Sequence, residues 1–397
     1  MSHAPDAIGT ELAAVTMGID HFERTAATGG SLLDGEGLVP IYLGDDLVTA
    51  KAYTGWSEIF ADLDRLGVRA KAYPEDARGV FLRGMVSSLQ AAARLFSGAE
   101  MTYAEKVSDL VGAEAAPVPD AEIDAHADRL SAGLARVGFV RGTLRERVEA
   151  WEEARAIAPD RIEAEFRELM TAARARTAAM IFDPGDYDMA LNPLRNIPFT
   201  ARCGFAERRM DLNVDIAFTR AALKHLVCHE VFPGHATQLL YTLAEVEAGR
   251  SEADALLCTA NAVTGCVQEG IGDQGVELIE WIEDADDDIH LSLRSLKSAV
   301  QTTAAWRLMT GGEPAETVAD YLRETGCGQE AWVRGRLNMA SHPFRGPFIA
   351  SYYAGNESVR RVRERVAGPD RAAFTAYLFG QVHSPRSLEM FDTSVAA

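Results

Sequence analysis

The sequence predicts a mainly α-helical fold, with at most a small edge sheet ahead of one chemically unusual helix. Three observations carry this. Apolar residues recur at three- and four-residue spacing along most of the chain. Only two short segments depart from that rhythm. The composition, 47% apolar and 25% charged over 397 residues, is that of a folded globular protein with enough chain to bury a sizeable core.

Taken in order, residues 9–26, 56–67, 76–98 and 119–136 each read as amphipathic helices. The charged stretch 143–181 is interrupted at Ala158-Pro159-Asp160, where one helix stops and another starts. Beyond the break, Ile162, Phe166, Leu169 and Met170 repeat as a core-facing stripe. Residues 37–44 read as a short strand or a loop, and residues 196–215 alternate enough to form a hairpin or an edge strand. Turn formers crowd residues 182–195. The expected division is therefore a helical scaffold subdomain over 1–190 and a helical catalytic subdomain over 191–397. The acidic run Glu283 to Asp288 lacks the glycine and ligand spacing of a calcium loop. It reads as a solvated turn leading into a helix N-terminus.

Charge excludes some functions. A net charge of −20 repels phosphate backbones and anionic lipid, so neither nucleic acid nor membrane is an expected partner. No uncharged apolar run of membrane-spanning length is present, and the first thirty residues lack the features of a secretory signal. Five scattered cysteines without a CxxC pair read as reduced thiols of a cytoplasmic protein, a monomer or a homodimer.

The chemistry concentrates in His229-Glu230-Val231-Phe232-Pro233-Gly234-His235. The HExxH pattern of zinc hydrolases puts two histidines at i and i+4 on one helical face. Here the second comes at i+6, about 240° around a regular helix, so a straight helix would part the two rings. Proline distorts the turn it enters and glycine tolerates unusual dihedrals, so a kink at Pro233-Gly234 can return His235 to the side of His229. The alternative is that the helix simply ends at Phe232 and leaves His235 in a loop. His225, four residues before His229, offers a rival ligand pair, with Cys228 a possible soft ligand beside it. A third ligand should come from another helix, and Glu269 is the best placed. Asp273, at i+4 from Glu269, could then orient a ligand histidine. Glycines at 270, 272 and 275 suit a helix that something approaches closely.

Together, HEVFPGHATQ (229–238), QEGIGDQGVE (268–277) and FIASYYAG (348–355) resemble a bacterial domain-of-unknown-function family with an HExxPGH motif. Its members are helical, zincin-like metallopeptidases akin to the thermostable-carboxypeptidase and oligopeptidase gluzincins. The resemblance covers residues 195–365. It implies His229, His235 and Glu269 as zinc ligands, Glu230 as general base, and Tyr352 as the donor to the oxyanion. Ala236 stands where the family commonly has a second histidine, so a substrate-contacting or supporting group is missing.

Two histidines and a carboxylate leave a zinc position open, as catalytic sites require. Glu230 would then take the proton of the attacking water. Arg345 is a candidate to hold a substrate carboxylate, and His342, Tyr353 and His383 are further candidate substrate contacts. The expected function is a zinc-dependent hydrolase acting on an amide in a short peptide or an acyl-amino-acid-like small molecule. The same triad suits Fe2+, and a non-catalytic binding protein that retains the pocket is a third reading.

Overall fold

A computed structural model describes residues 7–26, 31–33, 37–197 and 201–392. It is mainly helical, with 64% of residues in helix and 5% in strand. The first helices are α1 (Ala7–Ala26), α2 (Trp56–Lys71), α3 (Ala77–Phe96) and α4 (Tyr103–Lys106), with a two-residue strand β1 (Ile41–Tyr42) between α1 and α2. Helices α5 (Asp120–Arg136), α6 (Leu144–Arg155) and α7 (Ile162–Met180) follow. Side chains mark several of the starts. Asp76 accepts from the Gly79 amide at 2.8 Å to begin α3. Thr143 and Glu146 close a reciprocal capping box on α6, satisfying amides that the first helical turn leaves unpaired. The break at Pro159 is a short turn of tighter helix, Pro159–Arg161, and α7 beyond it buries one face.

 Along that face Ile162, Phe166, Leu169 and Met170 are each no more than 4% exposed.

Strands β2 (Ala190–Leu194), β3 (Ala201–Gly204) and β4 (Arg209–Asn213) then form a three-stranded sheet in the order β2-β4-β3. The expected hairpin is β3 against β4, antiparallel, while β2 pairs parallel to β4. Met210 and Leu212 turn one face of the central β4 into the core, and β2 and β3 are the outer strands. Next come α8 (Arg220–Glu230), α9 (His235–Glu247), the short strand β5 (Leu257–Cys258) paired with β1, α10 (Val263–Asp273) and α11 (Gly275–Leu278). The last helices are α12 (Ala285–Met309), α13 (Ala315–Glu324), α14 (Glu330–Ala340), α15 (Ile349–Arg365), α16 (Arg371–Gly380) and α17 (Pro385–Leu388). Among the described residues, no helix is long and apolar enough to cross a membrane.

The hydrophobic cores straddle residue 190. One joins α1–α3 to Val263 and Cys266 of α10 and to Phe344. Another joins α5 and α6 to α12, α13 and α14. The N-terminal helices therefore help to hold α10 and α12, on which the chemical groups stand.

The acidic run leads into a helix N-terminus as expected, with Glu283 and Asp284 exposed, but Asp287 is buried. Asp284 caps α12 by accepting from the amides of Asp286 and Asp287. Asp286 takes the Trp151 indole N–H at 2.8 Å, and Asp287, 4% exposed, takes Lys224 Nζ at 2.5 Å. A buried lysine needs such a partner, because an unpaired charge away from water is costly. The run thus ties the start of α12 to α6 and α8.

Candidate metal centre

Helix α8 ends at Glu230 and α9 begins at His235, so Pro233 lies in a connection between two helices and not inside one kinked helix. Gly234 is required by close approach. A Cβ there would stand 1.7 Å from the His229 carbonyl oxygen. This tight return brings the His229 and His235 rings to a centroid separation of 4.8 Å, edge to face.

Helix α10 supplies the carboxylates. Glu269 Oε2 lies 3.4 Å from His229 Nε2, and Glu269 Oε1 lies 3.9 Å from His235 Nε2. Behind them, Asp273 Oδ1 is 3.2 Å from His229 Nδ1, on the far side of the ring. Glycines permit the approach. A Cβ on Gly272 would meet the His229 ring at 2.8 Å, and one on Gly270 would meet the Gly355 carbonyl of α15 at 2.2 Å. Glycine costs about 1 kcal/mol relative to alanine in a helix interior, and these contacts are what the missing side chains allow.

Burial opposes charge on His229, but its contacts with Asp273 and Glu269 outweigh that and push its pKa up to about 10. Burial would raise Glu269, yet the two histidines hold it below the usual carboxylate range. Burial lowers His235, and the neighbouring His229 lowers it further. Glu269 Oε2 is buried without a hydrogen-bond donor. A divalent cation placed among these atoms would satisfy the carboxylate that a protonated His229 otherwise serves, so the donor set fits a metal ion.

A second group, His225, His229 and Asp273, also converges. Its shared carboxylate is already committed: Asp273 Oδ1 accepts from Arg294 at 2.9 Å and faces His225 Nε2 at 3.4 Å. Burial would raise the Asp273 pKa, but Arg294 and both histidines hold it well below the usual range. A guanidinium in contact with that oxygen repels a second cation. The His229–His235–Glu269 group instead opens to solvent through His235, whose side chain is 31% exposed. His225 is pushed down to about 4 by burial and reads as a neutral supporting ring.

These donors lie where two lobes of a cavity meet, beside Glu230 and Tyr352. The smaller lobe, about 310 Å³, is walled by Leu239, Leu257, Ile271, Phe348, Leu378 and Phe379. The larger, about 1130 Å³, runs between β3, α12 and α14. Burial and the nearby Glu269 push the Tyr352 hydroxyl up to about 12, so it stays protonated at neutral pH. Arg345, His383 and Ala236 line the smaller lobe. His383 is 2% exposed, with Nε2 2.7 Å from the Tyr377 carbonyl.

Two candidate substrate contacts do not reach either lobe. Tyr353 points away and donates to Glu122 of α5. His342 turns its Nδ1 back to accept the amides of Phe344 and Arg345, closing its own turn. Conversely, the sequence reading passed over Cys203, Arg294, Lys297 and Arg336, which all border the larger lobe. Cys203 lies against Glu230, and burial together with that carboxylate pushes its thiol pKa up. The spacing of Arg294, Lys297 and Gln301 on one helical face was the available signal for the others.

No protein-family model and no curated protein sequence matches this chain. Its similarity is to solved structures. One, named a "putative lipoprotein", from Colwellia psychrerythraea, matches with a TM-score of 0.61 and 16% identity, over 85% of this chain and 62% of the other. Another, named a "putative lipoprotein of unknown function", from Shewanella oneidensis, matches with a TM-score of 0.52 and 14% identity, over 84% of this chain and 70% of the other. The chain spans less than two thirds of the Colwellia protein's length, and at this identity the likeness is one of fold.

Proposed function

We propose that this chain is a zincin-like metal-dependent hydrolase that cleaves an amide bond in a short peptide or an acyl amino acid. The observation that carries the reading is the convergence of His229, His235 and Glu269, whose buried Oε2 lacks a hydrogen-bond donor, at a cavity junction that Glu230 also borders. His229, His235 and Glu269 would hold zinc, which when bound supplies Lewis acidity and makes a water acidic enough to attack at neutral pH.

The chain's own groups do the rest. Asp273 Oδ1 faces His229 Nδ1 at 3.2 Å, across the ring from Nε2 and Glu269, where it favours the tautomer a ligand needs. Glu230 follows His229 directly, about 100° around the helix. It faces the cavity with no ligand role assigned, and is placed to take the proton of the attacking water and return it to the leaving amine. Tyr352, protonated and beside the same junction, donates to the carbonyl oxygen as negative charge develops there. Strand β3 pairs only with β4 among the described residues, and residues 201–205 line the larger lobe. An outer strand beside the site suits an extended, peptide-like substrate. Five free cysteines, none in a disulfide, suit a reducing compartment such as the cytoplasm.

Glu230→Gln tests the mechanism. It keeps size and polarity but cannot accept a proton. The variant should bind zinc and fold as the parent does, and lose amide turnover by about 10²-fold or more. Near-normal turnover would rule out Glu230 as the base.

A further inference from the structure

The larger lobe carries a cationic wall in a strongly acidic protein. Helix α12 presents Arg294, Lys297 and Gln301 to it, and α14 presents Trp332 and Arg336. Arg294 is engaged with Asp273. Lys297 and Arg336 are not similarly matched. Among the described residues, neither has a carboxylate within ion-pair distance. Lys297 Nζ instead stands 5.6 Å from the centroid of the Trp332 ring. Arg336 Nη1 reaches the neutral Gln301 Oε1 at 3.3 Å, its Cζ stands 5.8 Å from the centroid of the neutral Tyr352 ring, and its Nε is buried with no acceptor. The carboxylates bordering this lobe are elsewhere. Glu230 and Glu269 stand at the metal end, and Asp45 and Glu207 at exposed positions. Two half-buried cations with no carboxylate in ion-pair contact are an unmet electrostatic demand, and a bound anion would satisfy it.

The smaller lobe has the opposite character, and both lobes meet at the proposed catalytic groups. We propose that Lys297 and Arg336 form a carboxylate subsite, so that the substrate is an amide with an apolar group on one side of the scissile bond and a free carboxylate on the other. The identification of the bond rests on the hydrolase reading above; the subsite itself does not. A planar carboxylate matches the guanidinium fork, and Lys297 adds a point charge beside it. Arg345, the carboxylate holder suggested by sequence, borders the other lobe.

Calorimetric titration with N-benzoylglycine and N-benzoylglycinamide, into metal-free and zinc-loaded protein, tests this. The acid should bind at least about tenfold more tightly than the amide in both forms, the size of one charge-assisted contact. Lys297→Met and Arg336→Met should each bring the ratio close to one without changing zinc content. Equal binding, or no binding of either compound, overturns the proposal. So does an advantage seen only with zinc and surviving both substitutions, which would place the carboxylate on the metal. Tighter binding of inorganic phosphate in competition would reassign the lobe to phosphate esters and overturn it as well. The acid–amide comparison on the unmodified protein remains decisive even if a variant fails to fold. Failure of the hydrolase reading would appear separately, as absent zinc or turnover with the acid preference intact.

Discussion

Replacing Gly272 by alanine puts a methyl group into the face of His229. The added Cβ would lie 2.8 Å from Nδ1, 2.9 Å from Cε1 and 3.0 Å from Cγ of that ring, where ordinary contact begins at 3.4 Å. The ring or helix α10 must therefore yield by roughly half an ångström, and metal sites tolerate only about 0.2 Å in their ligand distances. The His229–Asp273 contact at 3.2 Å is strained by the same movement. Disturbing the partner that orients a ligand histidine typically weakens metal binding about 10- to 100-fold. That is the loss expected for Gly272→Ala, measured by competition with a chromophoric zinc chelator. Overpacking also costs about 1–3 kcal/mol of stability, so circular dichroism must show that the variant is folded at the assay temperature. Gly335→Ala is the control. It lies in α14 with nothing within 4 Å of its Cβ position, and should gain about 0.5–1 kcal/mol while leaving zinc affinity unchanged. A folded Gly272→Ala variant with parental zinc affinity would refute the argument that His229 is held in a ligand position by contact with α10.

Two further predictions address a buried acid and the oxyanion donor. Burial pushes Glu277 up to about 7, against the pull of Arg363, and its Oε2 has no donor. The folded state therefore keeps a proton that the unfolded chain releases from about pH 4.5 upward, and stability falls through that window until pH exceeds about 7. Glu277→Gln should raise Tm at pH 8, by a gain on the order of 1–3 kcal/mol, and give almost none near pH 4; an equal gain at both would refute the assignment. Tyr352→Phe should lower amide turnover by about 10²-fold while leaving zinc content and N-benzoylglycine affinity unchanged, because the lost donor acts mainly in the transition state. A loss of affinity with unchanged turnover at saturation would place Tyr352 in substrate binding.

Helix positions were legible because each helix buries a stripe that its own sequence spacing encodes. Ile162, Phe166, Leu169 and Met170 are the plainest case. The His229–His235 meeting was legible because Pro233 and Gly234 leave the chain few ways to continue. What the local pattern could not show depends on contacts between distant segments. Asp287 looked solvated until Lys224, from another helix, was seen to bury with it. Tyr352 and Tyr353 are neighbours, and only the packing of α15 decides that one faces the cavity and the other Glu122. The parallel pairing of β2 with β4 and the meeting of Lys297 with Arg336 have the same origin. Each joins segments whose spacing in sequence carries no periodic signal.

The most direct test of the central claim is the metal content of purified protein and four variants, measured by elemental analysis. The parent should carry about one zinc per chain, as a catalytic site with three protein ligands would. His229→Ala, His235→Ala and Glu269→Gln should each lose it, and His225→Ala should keep it. Iron at that stoichiometry would replace zinc in the account while leaving the ligands in place. Full occupancy in His235→Ala together with loss in His225→Ala would contradict it, moving the metal to the deeper group around Asp273.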